Sequence, residues 1–362
     1  NKKIGIFNKK ISVSGDKSLS IRWVLFASLA KGVSKAKNLL ISEDVLAAIN
    51  AVKKFGIKSI IKKDECKIYG NGLEGYKYKK NLTINAENSG TLGRLILGLL
   101  INTSVPIRLI GDTSLSKRDF GRVSKPLSKF GAKFKLKNNK NLPLTIHGAE
   151  ILKPIKFTEN KGSAQCKSAV IFGGMRTQGT TIIKAKKSRN HSEVLCKFLN
   201  LPISIKKSKN FDYIKVNKIR KIPTLNYNIP SDISSSAFFI VLTALSKNSK
   251  IIIKNVNINS SRIGIIKILR KMGIKIVLKN IRIYKGEKIS DIKVESPKSI
   301  KAINCPSKLT SSAIDEFLII FLAAAKAKGI SYFKKLNELN QKESPRLNIA
   351  SKILNMIGIK VF

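Results

Sequence analysis

Five times along the chain, apolar and polar positions run through the same progression. A short turn of small polar residues opens a strongly apolar helix, and a β-rich strand and a polar loop follow. An amphipathic helix then ends in a tight turn before another β-branched strand. The ends of the second helices mark the period: Phe55-Gly56-Ile57, Phe130-Gly131-Ala132, Leu199-Asn200-Leu201, Met272-Gly273-Ile274 and Ile357-Gly358-Ile359 lie 75, 69, 73 and 85 residues apart. Glycine, or once asparagine, stands where a helix C′ residue in the left-handed region escapes the Cβ penalty. Strands such as Lys275-Ile276-Val277-Leu278 and Ser204-Ile205 follow directly. Each repeat predicts a β-α-β-α-β-β unit with two helices on one face of a small sheet, an α/β architecture. Pro230, after the weakly patterned residues 215–228, marks a domain boundary.

Length agrees with that division, since 362 residues at about 150 per domain suggest two domains. A hydrophobic content of 43% excludes a disordered chain. The longest uncharged apolar runs, residues 317–325 and 237–245, fall far short of the roughly 20 a membrane span needs. No secretory signal opens the chain, and a start at Asn1 instead of Met need not be the gene's own start. Together these features predict a cytoplasmic protein.

The formal charge of +49 raises the question of a polyanionic partner. Of 70 basic residues, 12 are arginine and 58 are lysine, and the lysines occur in every segment. Lysine spread this evenly is a composition habit, whereas nucleic-acid readers concentrate arginine forks. No nucleic-acid partner is expected. Cys66, Cys166, Cys196 and Cys305 form no C-x-x-C pair, and His147 and His191 are the only histidines. Buried thiols in a reducing compartment are expected, with no metal centre.

The turns that open the first helices carry the candidate chemistry. They read Ser14-Gly15-Asp16-Lys17-Ser18, Asn88-Ser89-Gly90-Thr91, Gly162-Ser163-Ala164-Gln165, Pro230-Ser231-Asp232-Ile233-Ser234 and Ser311-Ser312-Ala313-Ile314-Asp315. Ser, Asn and Asp here would cap helix N-termini. The same exposed N–H groups also suit phosphate or carboxylate, and Lys17 and Gln165 favour the anion. The arginines recur at two addresses. Arg22 and Arg94 lie about one turn into a first helix, so that Ser18 and Arg22 share a face. Arg118, Arg189, Arg262 and Arg346 occupy the loop before a second helix. Arginine placed repeatedly in a lysine-rich chain implies bidentate clamping of small anions.

These segments also carry a resemblance. Ser14 to Arg22, Asn88-Ser89-Gly90-Thr91 with Arg94, and Gly111-Asp112-Thr113-Ser114-Leu115-Ser116-Lys117-Arg118 followed by Gly121-Arg122-Val123 resemble successive signatures of one family. It is the 3-phosphoshikimate 1-carboxyvinyltransferase (5-enolpyruvylshikimate-3-phosphate synthase) family of enolpyruvyl transferases. Ser163-Ala164-Gln165-Cys166-Lys167-Ser168-Ala169 and Ser188-Arg189-Asn190-His191-Ser192-Glu193 are similar to the branch that includes glyphosate-insensitive bacterial members. Ile314-Asp315-Glu316 and Lys342-Glu343-Ser344-Pro345-Arg346 resemble its C-terminal catalytic segments.

The resemblance implies transfer of enolpyruvyl from phosphoenolpyruvate to the 5-hydroxyl of shikimate 3-phosphate, on the route to chorismate and aromatic amino acids. It implies no cofactor and a monomer. Matched residue by residue, Lys17, Ser18, Arg22, Ser163, Ala164, Gln165, Arg189, Asp315 and Lys342 would bind shikimate 3-phosphate. Lys17, Gly90, Arg118, Gln165 and Arg346 would bind phosphoenolpyruvate. Asp315 would accept the 5-hydroxyl proton, and Lys17, Lys342 and Glu343 would complete the catalytic set. The physical requirement agrees, because two polyanions brought together need several cations and a carboxylate base.

The family fold is two domains of three units each. Here residues 13–229 would form the first, and residues 1–12 with 230–362 a second holding two units. The sequence is therefore expected to be a fragment or truncated gene product, with apolar faces left uncovered. It departs from the family at Asp119, in place of the usual Pro, at Pro345, which position N1 of a helix would tolerate, and at Asn190, in place of the usual Asp. Gly90 is the form expected of glyphosate-sensitive members. Alternatives at this point are the sister enzyme acting on UDP-N-acetylglucosamine, an inactive truncated relative, and a nucleic-acid-binding protein suggested by charge alone.

Overall fold

The computed structural model describes residues 5–362. It divides into two compact units, one of Lys17–Ile229 and one of Pro230–Phe362 with the segment up to Asp16. In chain order, β1 (Asn8–Ile11) is followed by α1 (Lys17–Leu29), β2 (Lys31–Lys37), α2 (Glu43–Lys54), β3 (Lys58–Lys62) and β4 (Glu65–Asn71). The second repeat contains β5 (Thr83–Asn85), α3 (Gly90–Leu99), β6 (Ile107–Ile110), α4 (Thr113–Ser116), α5 (Gly121–Ser128), β7 (Lys133–Lys137) and β8 (Asn141–His147). The third holds β9 (Lys156–Glu159), α6 (Ala164–Arg176), β10 (Thr180–Lys186), α7 (His191–Phe198), β11 (Ile203–Lys207) and β12 (Phe211–Asn217), and β13 (Tyr227–Asn228) closes the unit.

Each repeat in this unit has a four-stranded sheet, in the orders β13-β2-β4-β3, β5-β6-β8-β7 and β9-β10-β12-β11. The first pair in each is parallel and the others antiparallel. Alternation sets the buried face: Leu142, Leu144 and Ile146 of β8 point inward and their neighbours do not. Helix α1 buries every residue from Leu19 to Leu29, the mark of an interior helix. Helices α3 and α6 cross so closely that a Cβ on Gly98 would collide with the carbonyl oxygen of Ala169. Phe26 and Phe172 meet edge to face at 5.3 Å in the same core.

The second-helix endings take the predicted left-handed backbone, with φ of +80° at Gly56, +115° at Gly131, +52° at Asn200, +88° at Gly273 and +82° at Gly358. Strand β12 reaches Asn217, so the stretch read as weakly patterned begins with regular sheet.

The other unit continues with α8 (Ile233–Leu245), β14 (Lys250–Asn257), α9 (Gly264–Lys271), β15 (Lys275–Tyr284), β16 (Glu287–Glu295), α10 (Phe317–Ala325) and α11 (Arg346–Met356). Its sheet runs β1-β14-β16-β15, and Asn8–Ile11 pairs in parallel with Lys250–Ile253. Residues 1–4 of the expected N-terminal strand lie outside the described residues. Ile265, Ile266, Ile268 and Leu269 of α9 join Ile240, Val241 and Phe317 in a single core. Phe238 and Leu242 of α8 and Leu318 and Leu322 of α10 are exposed.

The fifth repeat is less regular than the others. Among the described residues it has no strand ladder, only isolated parallel bridges Lys301↔Lys328 and Asn304↔Tyr332. Its opening turn differs too. Ser307–Ser312 forms a 3-10 helix, and α10 starts only at Phe317.

Candidate active site

The predicted site residues fall into two groups, one in each unit. In the unit of Lys17–Ile229, Ser89 caps α3 by accepting from Leu92 N at 3.3 Å, which leaves Gly90 as the first helical residue. Arg94, one turn on, donates through Nη1 to Gly90 O at 3.2 Å and to Gln165 Oε1 at 2.8 Å. The Gln165 amide returns a bond from Nε2 to Thr91 Oγ1 at 3.0 Å. Arg118 donates through Nη2 to Asn88 Oδ1 at 3.3 Å. Gly90, Gln165 and Arg118 are thereby gathered at one helix start, with Arg94 at the centre. Burial pushes the Arg94 guanidinium down to about 10, so it stays cationic at neutral pH. It lies 5.0 Å over the Phe120 ring.

Asn88, Thr91 and Arg94, which sequence reasoning placed in an anion-binding turn without assigning them a substrate, hold these side chains in place. The recurring arginine address was the available signal for Arg94. Asp119 uses its carboxylate to accept from Arg122 N at 3.3 Å at the start of α5, a capping contact that the usual Pro could not make.

On α6, Ser163 is the N-cap and accepts from Cys166 N at 3.2 Å, with Ala164 and Gln165 in the first turn. Half-buried Arg189 precedes Asn190, the N-cap residue of α7, whose side chain makes no capping bond. Lys17 Nζ pairs with Asp44 Oδ2 at 3.2 Å. Arg22 and Ser18 do meet, through a bond from Arg22 Nη1 to the Ser18 carbonyl oxygen at 3.0 Å. Its other contacts were not legible. Arg22 is only 2% exposed and donates to Ser192 Oγ at 2.7 Å and Ser168 Oγ at 3.1 Å.

In the other unit, Asp315, Lys342, Glu343 and Arg346 come together. Asp315 Oδ1 lies 3.6 Å from Lys342 Nζ and 3.7 Å from Arg346 Nη1. Arg346 also pairs with Glu343, and Lys342 with Glu338 at 3.3 Å. Pro345 is the N-cap of α11, one residue before the N1 position expected for it, because the helix begins at Arg346. Behind Asp315, buried Glu316 reaches Ser234 Oγ and lies 3.5 Å from Arg262 Nη2. The same guanidinium lies 3.6 Å from both Asp16 and Asp232. Burial alone would lower the pKa of Arg262, but Asp16, Asp232 and Glu316 outweigh it and hold the cation above its ordinary value.

Such a set can bind anions and accept a proton. A carboxylate stands between a lysine and an arginine in one unit, and a helix start lined by two arginines and a glutamine stands in the other.

Comparison with known proteins decides among the enzymes that could use it. The pattern of one family, EPSP synthase (3-phosphoshikimate 1-carboxyvinyltransferase), matches residues 2–362. The chain belongs to the EPSP synthase family. The 3-phosphoshikimate 1-carboxyvinyltransferase of Ruthia magnifica subsp. Calyptogena magnifica is 40% identical over 352 residues, covering 97% of this chain and 79% of the relative. That of Thermoanaerobacter sp. (strain X514) is 37% identical over 353 residues, covering 97% and 82%. A solved EPSP synthase from Acinetobacter baumannii superposes with a TM-score of 0.87 at 34% identity, over 98% of this chain and 79% of that one. The fold is thus that of the EPSP synthases, with two units built of repeated strands and helices. Among the described residues, no helix of this family member is long and apolar enough to cross a membrane.

Proposed function

We propose that this chain transfers the enolpyruvyl group of phosphoenolpyruvate to the 5-hydroxyl of shikimate 3-phosphate. The products are 5-enolpyruvylshikimate 3-phosphate and inorganic phosphate, in the shikimate pathway to chorismate and aromatic amino acids. The family match over residues 2–362 carries the reading. The gathering of Asp315, Lys342 and Arg346 within 3.7 Å supports it.

Shikimate 3-phosphate is held at its carboxylate end by Lys17 and Ser18, with Arg22 behind Ser18. Ser163, the backbone of Ala164, Gln165 and Arg189 take its phosphate. Gly90 N–H, Lys17, Gln165, Arg118 and Arg346 are assigned to phosphoenolpyruvate by the family match, and cations in that set offset the repulsion between two anions. Asp315 accepts the proton of the 5-hydroxyl as its oxygen attacks the enolpyruvyl carbon. Lys342 and Glu343 manage the proton on the methylene carbon, and phosphate leaves toward the arginines. The four cysteines are buried and unpaired, in keeping with a reducing, cytoplasmic setting.

A substrate panel tests the reaction. Phosphate release is expected from phosphoenolpyruvate with shikimate 3-phosphate and not with UDP-N-acetylglucosamine. Release only with the UDP-sugar would reverse the reading.

Gly90 allows a finer test. A Cβ there would stand 2.7 Å from Arg94 Nη1 and 3.0 Å from Arg118 Nη1, so an added methyl must displace both arginine tips. Gly90→Ala is expected to raise KM for phosphoenolpyruvate by about tenfold and to weaken glyphosate inhibition. An unchanged KM, or a parent protein indifferent to high glyphosate, would count against this placement.

A further inference from the structure

Lys167 and Glu193 stand in the matched segments without an assigned part. Lys167 is fully buried and Glu193 is 2% exposed, with Nζ 2.6 Å from Oε1. Lysine is almost never fully buried without a partner, and a buried ion pair adds little to stability over an apolar pair of the same volume. Its value has to lie in geometry. The residues beside each partner form a second link between the same two elements: Ser192 Oγ donates to Ser168 Oγ at 2.7 Å. Arg22 then ties both serines to α1, through Nε to Ser192 Oγ at 2.7 Å and Nη2 to Ser168 Oγ at 3.1 Å.

Two adjacent polar links therefore join the first turns of α6 and α7, and a guanidinium fastens both to α1. These are the three helix starts that present Lys17 and Ser18, then Ser163 to Gln165, then Arg189. We infer that Lys167 and Glu193 are positioning residues for the shikimate 3-phosphate subsite. The pair fixes the separation and rotation of α6 and α7, so that Ser163, Gln165 and Arg189 converge on one phosphate. An ion pair at 2.6 Å fixes a distance between the two helices, which a pair of methylenes sliding past each other does not. This inference rests on the proposed assignment of shikimate 3-phosphate to those residues.

Affinity for shikimate 3-phosphate is read by isothermal titration calorimetry. The double variant Lys167→Met/Glu193→Gln removes both charges at similar volume and is expected to fold, with a melting point close to that of the parent. It should bind shikimate 3-phosphate about tenfold more weakly. Its kcat at saturating shikimate 3-phosphate and its KM for phosphoenolpyruvate should stay within about threefold. Lys167→Arg, which keeps the pair, should retain most of the affinity.

Unchanged affinity in a folded double variant overturns the inference. So does an equal loss for both substrates, the sign of a general loosening. Should the double variant fail to fold, Glu193→Asp decides by the same measurements, since it keeps the charge and withdraws the carboxylate by one methylene. Arg189→Ala separates the inference from its premise. If that variant also binds shikimate 3-phosphate unchanged, the subsite assignment fails. If it loses affinity while the double variant does not, only the positioning role falls.

Discussion

Asp315→Asn is expected to lower kcat by about a thousandfold, with little change in the melting point. Asparagine keeps the size and one oxygen acceptor but cannot take a proton from the 5-hydroxyl. Position separates this role from simple helix capping. Helix α10 begins at Phe317 after Glu316, one residue beyond Asp315, and the Asp315 carboxylate is directed to Lys342 and Arg346. The side chain is about a quarter exposed, so its replacement leaves no buried charge unpaired. Steady-state rates at saturating concentrations of both substrates provide the check. An Asn variant within tenfold of the parent would mean that Asp315 does not carry the proton.

Arg262→Met should have the largest effect on stability. Its guanidinium lies within 3.6 Å of Asp16, Asp232 and Glu316, all largely or wholly buried. Removing the cation takes the guanidinium away from three buried carboxylates at once, and breaking such a buried cluster costs about 3–5 kcal/mol of folding. The melting transition of the unit holding Pro230–Phe362 should fall by about 10 °C, read by calorimetry. The cluster also joins the two places where the chain leaves this unit, since Asp16 N donates to Pro230 O at 2.8 Å and Asp232 N to Ser14 O at 3.0 Å. An unchanged transition would show that the carboxylates are paired by something other than Arg262.

The sequence pattern carried much of this arrangement because several positions obey purely local rules. Gly56, Gly131, Asn200, Gly273 and Gly358 all take left-handed backbone, and Ser89, Ser163 and Asp232 all cap helices with their side chains. Such rules fix conformation within a few residues and need no knowledge of the rest of the chain. What stayed hidden depends on depth and on distant pairing. Lys167 looks like any of 58 lysines until the fold buries it against Glu193. The spacing of Ser18 and Arg22 gives a shared face but not that Arg22 turns into the interior toward Ser168 and Ser192. Nor does local pattern show that Tyr227–Asn228 pairs with β2 across nearly the whole first unit. Among the described residues the fifth repeat makes only isolated bridges at Lys301–Lys328 and Asn304–Tyr332, since strands need neighbours to form a ladder and no local pattern supplies those.

The most direct test follows the bond that forms. The protein is given phosphoenolpyruvate labelled with carbon-13 at the enol carbon, together with shikimate 3-phosphate, and the mixture is followed by nuclear magnetic resonance. The account predicts a vinyl ether in which the labelled carbon couples through oxygen to the proton at position 5, formed in step with one equivalent of inorganic phosphate. Phosphate release without that coupling, or enolpyruvyl attached at any other hydroxyl, would contradict it.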